Sequence, residues 1–259
     1  MPMHHRHLYT RPVFHQLILT EAGVVEHEVD FEHYRCGAGT VLHQRPGQVQ
    51  KFGRETDAQG WVVLYLPEFL PPEPLLETRL GPSDTVAITP AKRQLRSLTG
   101  TLHALVSTYE TADGQDCTLH ALQHLLLALL LHVTRAYDAA QDRKLIGASG
   151  MLQTYRRFLQ EVEQHFSTNR DATYYASRLG LSVKTLERAC KTVAGASPKR
   201  LIERRVTLEA KRLLAHSSSS VSAIGVELGF SEATNFVKFF RRSVGMTPSV
   251  FREGRASPA

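Results

Sequence analysis

Apolar residues in the first seventy positions come in short runs. Residues 13–20 (VFHQLILT), 24–31 (VVEHEVDF), 40–52 (TVLHQRPGQVQKF) and 60–69 (GWVVLYLPEF) are rich in β-branched and aromatic side chains. Turn formers stand between and within them: Glu21-Ala22-Gly23, Cys36-Gly37-Ala38-Gly39, Arg45-Pro46-Gly47 and Asp57-Ala58-Gln59-Gly60. Short strands with a turn about every ten residues predict a small sandwich or barrel. The proline-rich stretch 67–74 ends that region.

Beyond it the period changes. Residues 89–111 place Leu95, Leu98, Leu102, Leu105 and Val106 at helical spacing. A second helix is expected over 118–138, apolar on most sides. Such a helix must bury both faces, one on the strand layer and one on a second copy of the chain. Its most apolar part, 119–133, holds His120, Gln123, His124 and His132 and is short for a membrane span. The first twenty residues lack the apolar core and small-residue cleavage site of a signal peptide. The expected setting is the cytoplasm, with no membrane partner. Three histidines in residues 1–8 read as a loose polar end rather than a metal site.

Residues 141–150 are polar, with glycines near their end, and serve as a linker between a domain at 1–140 and another at 151–255. The second is all helical: 151–166, 173–179, 183–193, 198–216, 221–228, 232–243 and 248–252. The fold class is therefore α+β multidomain, a β-barrel with two helices followed by an all-α domain.

Charge separates the halves. From Met151 onward there are eighteen Lys and Arg against nine Asp and Glu, while the first 150 residues hold thirteen against sixteen. A basic half joined to a mildly acidic one points to a polyanion as partner of the second domain. Cys36, Cys117 and Cys190 are scattered and odd in number, which argues against a disulfide framework or a structural zinc site.

The helical domain contains a repeat. Leu179-Gly180-Leu181-Ser182 matches Leu228-Gly229-Phe230-Ser231, and Gly195-Ala196-Ser197-Pro198 matches Gly245-Met246-Thr247-Pro248. The offset is 49 residues at the first block and 50 at the last, so the second copy carries one extra residue near the start of its second helix. Gly180 and Gly229 end the first helix of each pair in a left-handed residue. Ser182 and Ser231 are placed to cap the second helix, and Leu181 with Leu186 fits a hydrophobic staple. Leu186 and Cys190, like Phe236 and Phe240, face the core at i, i+4. The positions between them face outward, the layout of a recognition helix in the major groove. The helix over 198–216 is about 28 Å long at ~1.5 Å per residue, near the ~34 Å between successive major grooves.

Residues 221–252 (VSAIGVELGFSEATNFVKFFRRSVGMTPSVFR) resemble the C-terminal signature of AraC/XylS regulators, and 204–214 (RRVTLEAKRLL) resembles that family's linker helix. The resemblance covers about one hundred residues. It departs at Gly225, often alanine in the family, and at Cys190, often phenylalanine. It implies that Lys184, Thr185, Glu187 and Arg188 read bases through one helix and Thr234, Asn235, Val237 and Lys238 through the other. Lys191, Arg205, Arg241 and Arg242 would bind phosphates, which position but do not specify.

Residues 37–53 (GAGTVLHQRPGQVQKFG) resemble the cupin-like sensor domain common in the family, and the two following helices its dimerisation helices. The closely spaced His-x-His of a metal cupin is absent: His43 stands alone and Gln50 falls where histidine is frequent. No metal, cofactor or catalytic residue is expected, and the protein is read as no enzyme. His15, His27 and His33 read as surface or packing histidines. If the barrel holds an effector, His43, Arg45, Trp61 and Tyr65 are the candidates for lining it.

The function expected is a sequence-specific, DNA-binding transcription regulator, an activator by resemblance. Its partners would be double-stranded operator or promoter DNA, RNA polymerase, a small-molecule effector and a second copy of the chain. Two alternatives are a cupin-type enzyme with an accessory DNA-binding domain, which needs a metal triad or paired acids in 13–80, and a nonspecific DNA-binding protein, which predicts strong salt dependence with little sequence preference and against which the varied side chains on the two recognition faces argue.

Overall fold

A computed structural model of the chain describes residues 9–71, 86–142 and 149–255. The histidine-rich start and most of the expected linker lie outside the described residues. The strands are β1 (His15–Val29), β2 (Glu32–Gly37), β3 (Thr40–Gln44), β4 (Gln50–Tyr65) and β5 (Val86–Ile88). The helices are α1 (Lys92–Glu110), α2 (Asp116–Asp142), α3 (Ser149–His165), α4 (Ala172–Arg178), α5 (Val183–Ala194), α6 (Pro198–His216), α7 (Val221–Glu227), α8 (Ala233–Val244) and α9 (Pro248–Glu253).

Two of the expected turns are not turns. β1 runs through Glu21-Ala22-Gly23 and β4 through Asp57-Ala58-Gln59-Gly60, and the two strands pair antiparallel over their length. The turn formers lie opposite one another, and the pairing register slips between Thr20 and Ala22, and again between Ala22 and Val24. Each ladder absorbs them as bulges, which bend and twist a long ribbon without ending it. Gly60 is needed there because a Cβ would stand 2.0 Å from the Leu19 carbonyl oxygen. The other edge of β1 is shared: β3 pairs with Gln16 to Thr20 and β2 with Val24 to Val29. β5 extends the sheet beyond β3.

Alternation along β1 divides the curved sheet into two faces. Leu17, Leu19, Val41 and Tyr65 form one core with Leu98, Leu102 and Leu105 of α1 and Leu126, Leu129, Leu130 and Val133 of α2. Ile18 and Leu42 point the other way, toward Cys36 and Tyr34. Over Asp116–Ala140 α2 has a mean hydropathy of 1.5, so by length and composition alone it could cross a membrane. Here its inner face is packed on α1 and the sheet, while Leu119, His120 and His124 stay exposed.

The β1–β2 turn reaches the helical domain. Asp30 and Phe31 occupy left-handed backbone, with φ of 51° and 71°. Asp30 accepts two hydrogen bonds from Arg212 of α6, at 2.7 and 2.6 Å. Phe31 sits edge-on to Phe251 of α9 with ring centroids 5.5 Å apart, and the Lys211 ammonium lies 4.8 Å from the Phe31 centroid. Arg255 bonds both Glu28 and Tyr9, and Asp138 of α2 pairs with Arg156 of α3 at 2.8 Å.

Buried histidines make the N-terminal domain sensitive to acid. Burial holds His27 at about 4, and burial together with the Arg45 charge holds His15 at about 4, against 6.5 ordinarily. The unfolded chain takes protons that the folded one refuses, so stability is full above the ordinary value and is lost as pH falls toward 4. The urea midpoint of this domain should therefore fall between about pH 7 and pH 5, and His27→Leu should make that fall shallower. A flat profile in the unsubstituted protein would contradict the assignment.

Candidate nucleic-acid interface

Each half of the helical domain is built around one corner. In the first, Gly180 has φ +67°, its N–H bonds the Ser177 carbonyl at 3.0 Å and the Leu181 N–H bonds the Ala176 carbonyl at 2.9 Å. In the second, Gly229 has φ +77°, with Val226 and Gly225 accepting from Gly229 and Phe230, each at 2.9 Å. These are two copies of one Schellman ending, which satisfies free carbonyls and turns the chain into the next helix. α5 and α8 end alike, on left-handed Gly195 and Gly245, and Pro198 and Pro248 open α6 and α9.

The cores behind the corners match the spacing argument. Leu186 and Cys190 are fully buried with Phe158 and Tyr175, and Phe236 and Phe240 with Ile224 and Val206. Burial pushes the Cys190 thiol up to about 12, so it packs as a small apolar group. Gly225 has a direct cause: a Cβ there would meet the Cβ of Phe236 at 3.1 Å.

The outward side chains divide as follows. Lys184, Glu187, Arg188 and Lys191 on α5 are exposed, and Thr185 is half-buried with its hydroxyl 2.9 Å from that of Ser182. On α8, Thr234, Asn235, Lys238, Arg241 and Arg242 are exposed and Val237 is half-buried. The Thr234 hydroxyl donates to Glu232 at 3.1 Å, and Arg242 pairs with Glu203 at 3.3 Å.

Arg205 is different. It is buried on the inner face of α6, donating twice to Glu163 at 2.6 Å and once to Glu209 at 3.0 Å. Its guanidinium also lies 3.9 Å from the Phe166 centroid. Both ends of the fork are occupied, so Arg205 leaves the set of phosphate ligands. A helical position alone does not say which face is covered, and this one is covered by α3.

The effector candidates fall on one face of the sheet and at its rim. His43, Trp61 and Tyr65 share the sheet face that α1 and α2 cover, with His43 Nε2 3.0 Å from the Tyr65 hydroxyl and His15 stacked on Tyr65 at 4.6 Å. Arg45 stands in the turn after β3, its N–H held by Gln48. The opposite face carries Gln16, Thr20 and Gln44, all buried, which sequence reasoning passed over. Their alternation with Leu17, Leu19 and His43 was visible; which set faced the helices was not. Among the described residues no three His, Cys, Asp or Glu side chains converge as a metal site requires.

The two copies differ at one cap. Ser182 caps α5, its hydroxyl accepting from the Thr185 N–H at 3.1 Å. The extra residue of the second copy moves the corresponding position to Glu232, which makes no side-chain cap, so Ser231 does not cap α8. Ser182→Ala should cost about 1 kcal/mol of stability, and Ser231→Ala no more than a few tenths. Equal losses in urea titrations of the two variants would refute the distinction.

Comparison with known proteins follows the same division. Residues 1–129 match the model of the AraC-like ligand binding domain, and residues 175–254 match a helix-turn-helix domain model. The HTH-type transcriptional activator RhaS of Salmonella heidelberg (strain SL476) is 26% identical over 253 residues, 93% of this chain and 86% of the relative. A solved AraC-type regulator from Chromobacterium violaceum shares 26% identity over 43% of this chain and 99% of its own, with a TM-score of 0.39. ToxT from Vibrio cholerae aligns with 96% of this chain and 92% of its own at 11% identity, with a TM-score of 0.44. With an AraC-like ligand-binding domain ahead of a helix-turn-helix domain, the chain belongs to the AraC/XylS family of DNA-binding transcription regulators.

Proposed function

We propose that this regulator binds a bipartite operator through two recognition helices set in successive major grooves. The observation that carries this reading is the duplicated corner: two glycine endings with the same hydrogen bonds, each followed by a helix with an exposed polar face, joined by the 19 residues of α6. Lys184, Thr185, Glu187 and Arg188 read one half-element. Thr234, Asn235, Val237 and Lys238 read the other. Arginine and lysine suit guanine O6 and N7, asparagine suits adenine, glutamate accepts from cytosine N4, and Val237 suits a thymine methyl. Lys191, Arg241 and Arg242 hold phosphates.

The N-terminal domain senses a small molecule on the sheet face turned away from α1 and α2. There the Thr20 hydroxyl and the Gln44 amide are buried without a hydrogen-bond partner among the described residues, which favours a ligand that both donates and accepts hydrogen bonds. The exposed face of α2, with Leu119 beside His120 and His124, joins a second copy. The sign of regulation follows the relative named an activator, with RNA polymerase as the second protein partner, in the cytoplasm and without catalysis.

Selection of duplexes from a randomised pool at physiological salt tests the DNA reading. The full chain should enrich two half-elements about one helical turn apart. Arg188→Ala should relax one half-element at a cost of about 1–3 kcal/mol. Lys191→Ala should weaken all sequences alike and reduce the salt slope by about 1. Recovery without any motif, with and without candidate effectors, would overturn the proposal.

A further inference from the structure

The loop between α3 and α4 does not stay within its own helix-turn-helix unit. Phe166 packs against the cores of both units. Arg170 crosses to the second corner, its guanidinium 3.6 Å from the Phe230 ring centroid and its Nη2 donating to the Leu228 carbonyl at 2.6 Å. Between those two residues stands Gly229, where a Cβ would come within 1.9 Å of the Ser167 carbonyl oxygen. The backbone of one unit thus lies against the backbone of the other at its sharpest turn.

This approach is not a demand of the corner itself. The matching glycine of the first unit, Gly180, has open space where its Cβ would be. The contact therefore belongs to the joint between the units. It also adjoins a recognition face: Arg170 lines a cleft of about 360 Å³ with Lys199, Ser231, Asn235 and Arg242.

A single spacer helix sets a distance but lets its ends swivel. A second contact away from the helix axis removes that freedom. Adding one base pair between half-elements moves the second groove by about 3.4 Å and about 35°. A rigid pair of recognition helices detects that displacement, and a swivelling pair tolerates it. We propose that the α3–α4 loop, through Arg170, is a second strut that fixes the separation and phase of the two recognition helices and so determines which half-element spacing the protein accepts. Arg170 acts through α8 as a positioning residue. The inference rests on the two-helix reading above.

The test uses the full chain and the bipartite duplex recovered by selection, with the central segment lengthened or shortened by one base pair. Wild type should lose affinity about tenfold per base pair changed, and Arg170→Ala about threefold or less, with binding to a single half-element unchanged. Arg170→Lys keeps the charge but not the planar stack, and should behave like the alanine variant. If Arg170→Ala does not fold, Phe230→Leu removes the ring beneath the guanidinium while keeping an apolar corner, and the same loss of spacing preference is expected. An unaltered spacing profile, or an equal loss at every spacing, would reduce Arg170 to a packing residue and overturn the proposal. Recovery of bipartite sites with freely variable spacing by wild type would overturn the strut alone; recovery of single half-elements only would overturn the two-helix reading with it.

Discussion

Helix α6 buries charge along one face, and the sheet domain and the first helix-turn-helix unit meet on that face, while the second unit packs on the neighbouring apolar face of Val206, Ala210, Leu213 and Leu214. Arg205, Glu209 and Arg212 are spaced i, i+4, i+7, so they share one stripe. Arg205 takes Glu163 of α3. Glu209 takes Arg11 at 2.5 Å, ahead of β1, and also pairs with Arg205 and Arg212. Arg212 takes Asp30 at the β1–β2 turn. Burial alone would raise the Glu209 carboxyl, but Arg205, Arg11 and Arg212 hold it below the ordinary carboxylate range. Buried charges are tolerated only when paired, and their pairing selects one arrangement more than it adds stability. Here the selected arrangement joins the sheet domain and the first helix-turn-helix unit to one helix.

The β1–β2 turn owes its reach to the bulged ribbon. Opposed turn formers bend β1 and β4 together without breaking their pairing, and carry the far end of the ribbon to α6. Its tip then adopts left-handed backbone at two residues other than glycine. A phenylalanine in that conformation is costly, on the order of 1–3 kcal/mol. Its packing on Phe251 and beneath Lys211 and Arg255 offsets the strain. The sheet face that bears Gln16, Thr20 and Gln44 and the turn that grips α6 belong to the same pair of strands.

The two helix-turn-helix units are alike where the corner requires it and differ where they meet. Both end their first helix with the same pair of backbone bonds. Only the second has its corner pressed on another loop, and only the first caps its recognition helix with serine. One inserted residue accounts for the cap. The contact with Ser167 and Arg170 comes from elsewhere in the chain.

Patterns that repeat within a few residues were legible in the sequence. The seven helices of the second domain, its glycine corners and the buried Leu186, Cys190, Phe236 and Phe240 follow from i, i+4 spacing and the conformational freedom of glycine. So does the exposure of Lys184, Glu187 and Arg188 on one recognition helix and of Thr234, Asn235 and Lys238 on the other. Tertiary structure decided whatever depended on which surface covers which. It turned two expected loops into bulges, because their partners lay forty residues away. It placed His43, Trp61 and Tyr65 under the helices, because strand alternation names two faces and does not say which is covered. It buried Arg205 against Glu163, because an arginine at a helical position reads the same in sequence whether it meets a phosphate or a carboxylate; only the packing of α3 on α6 distinguishes them.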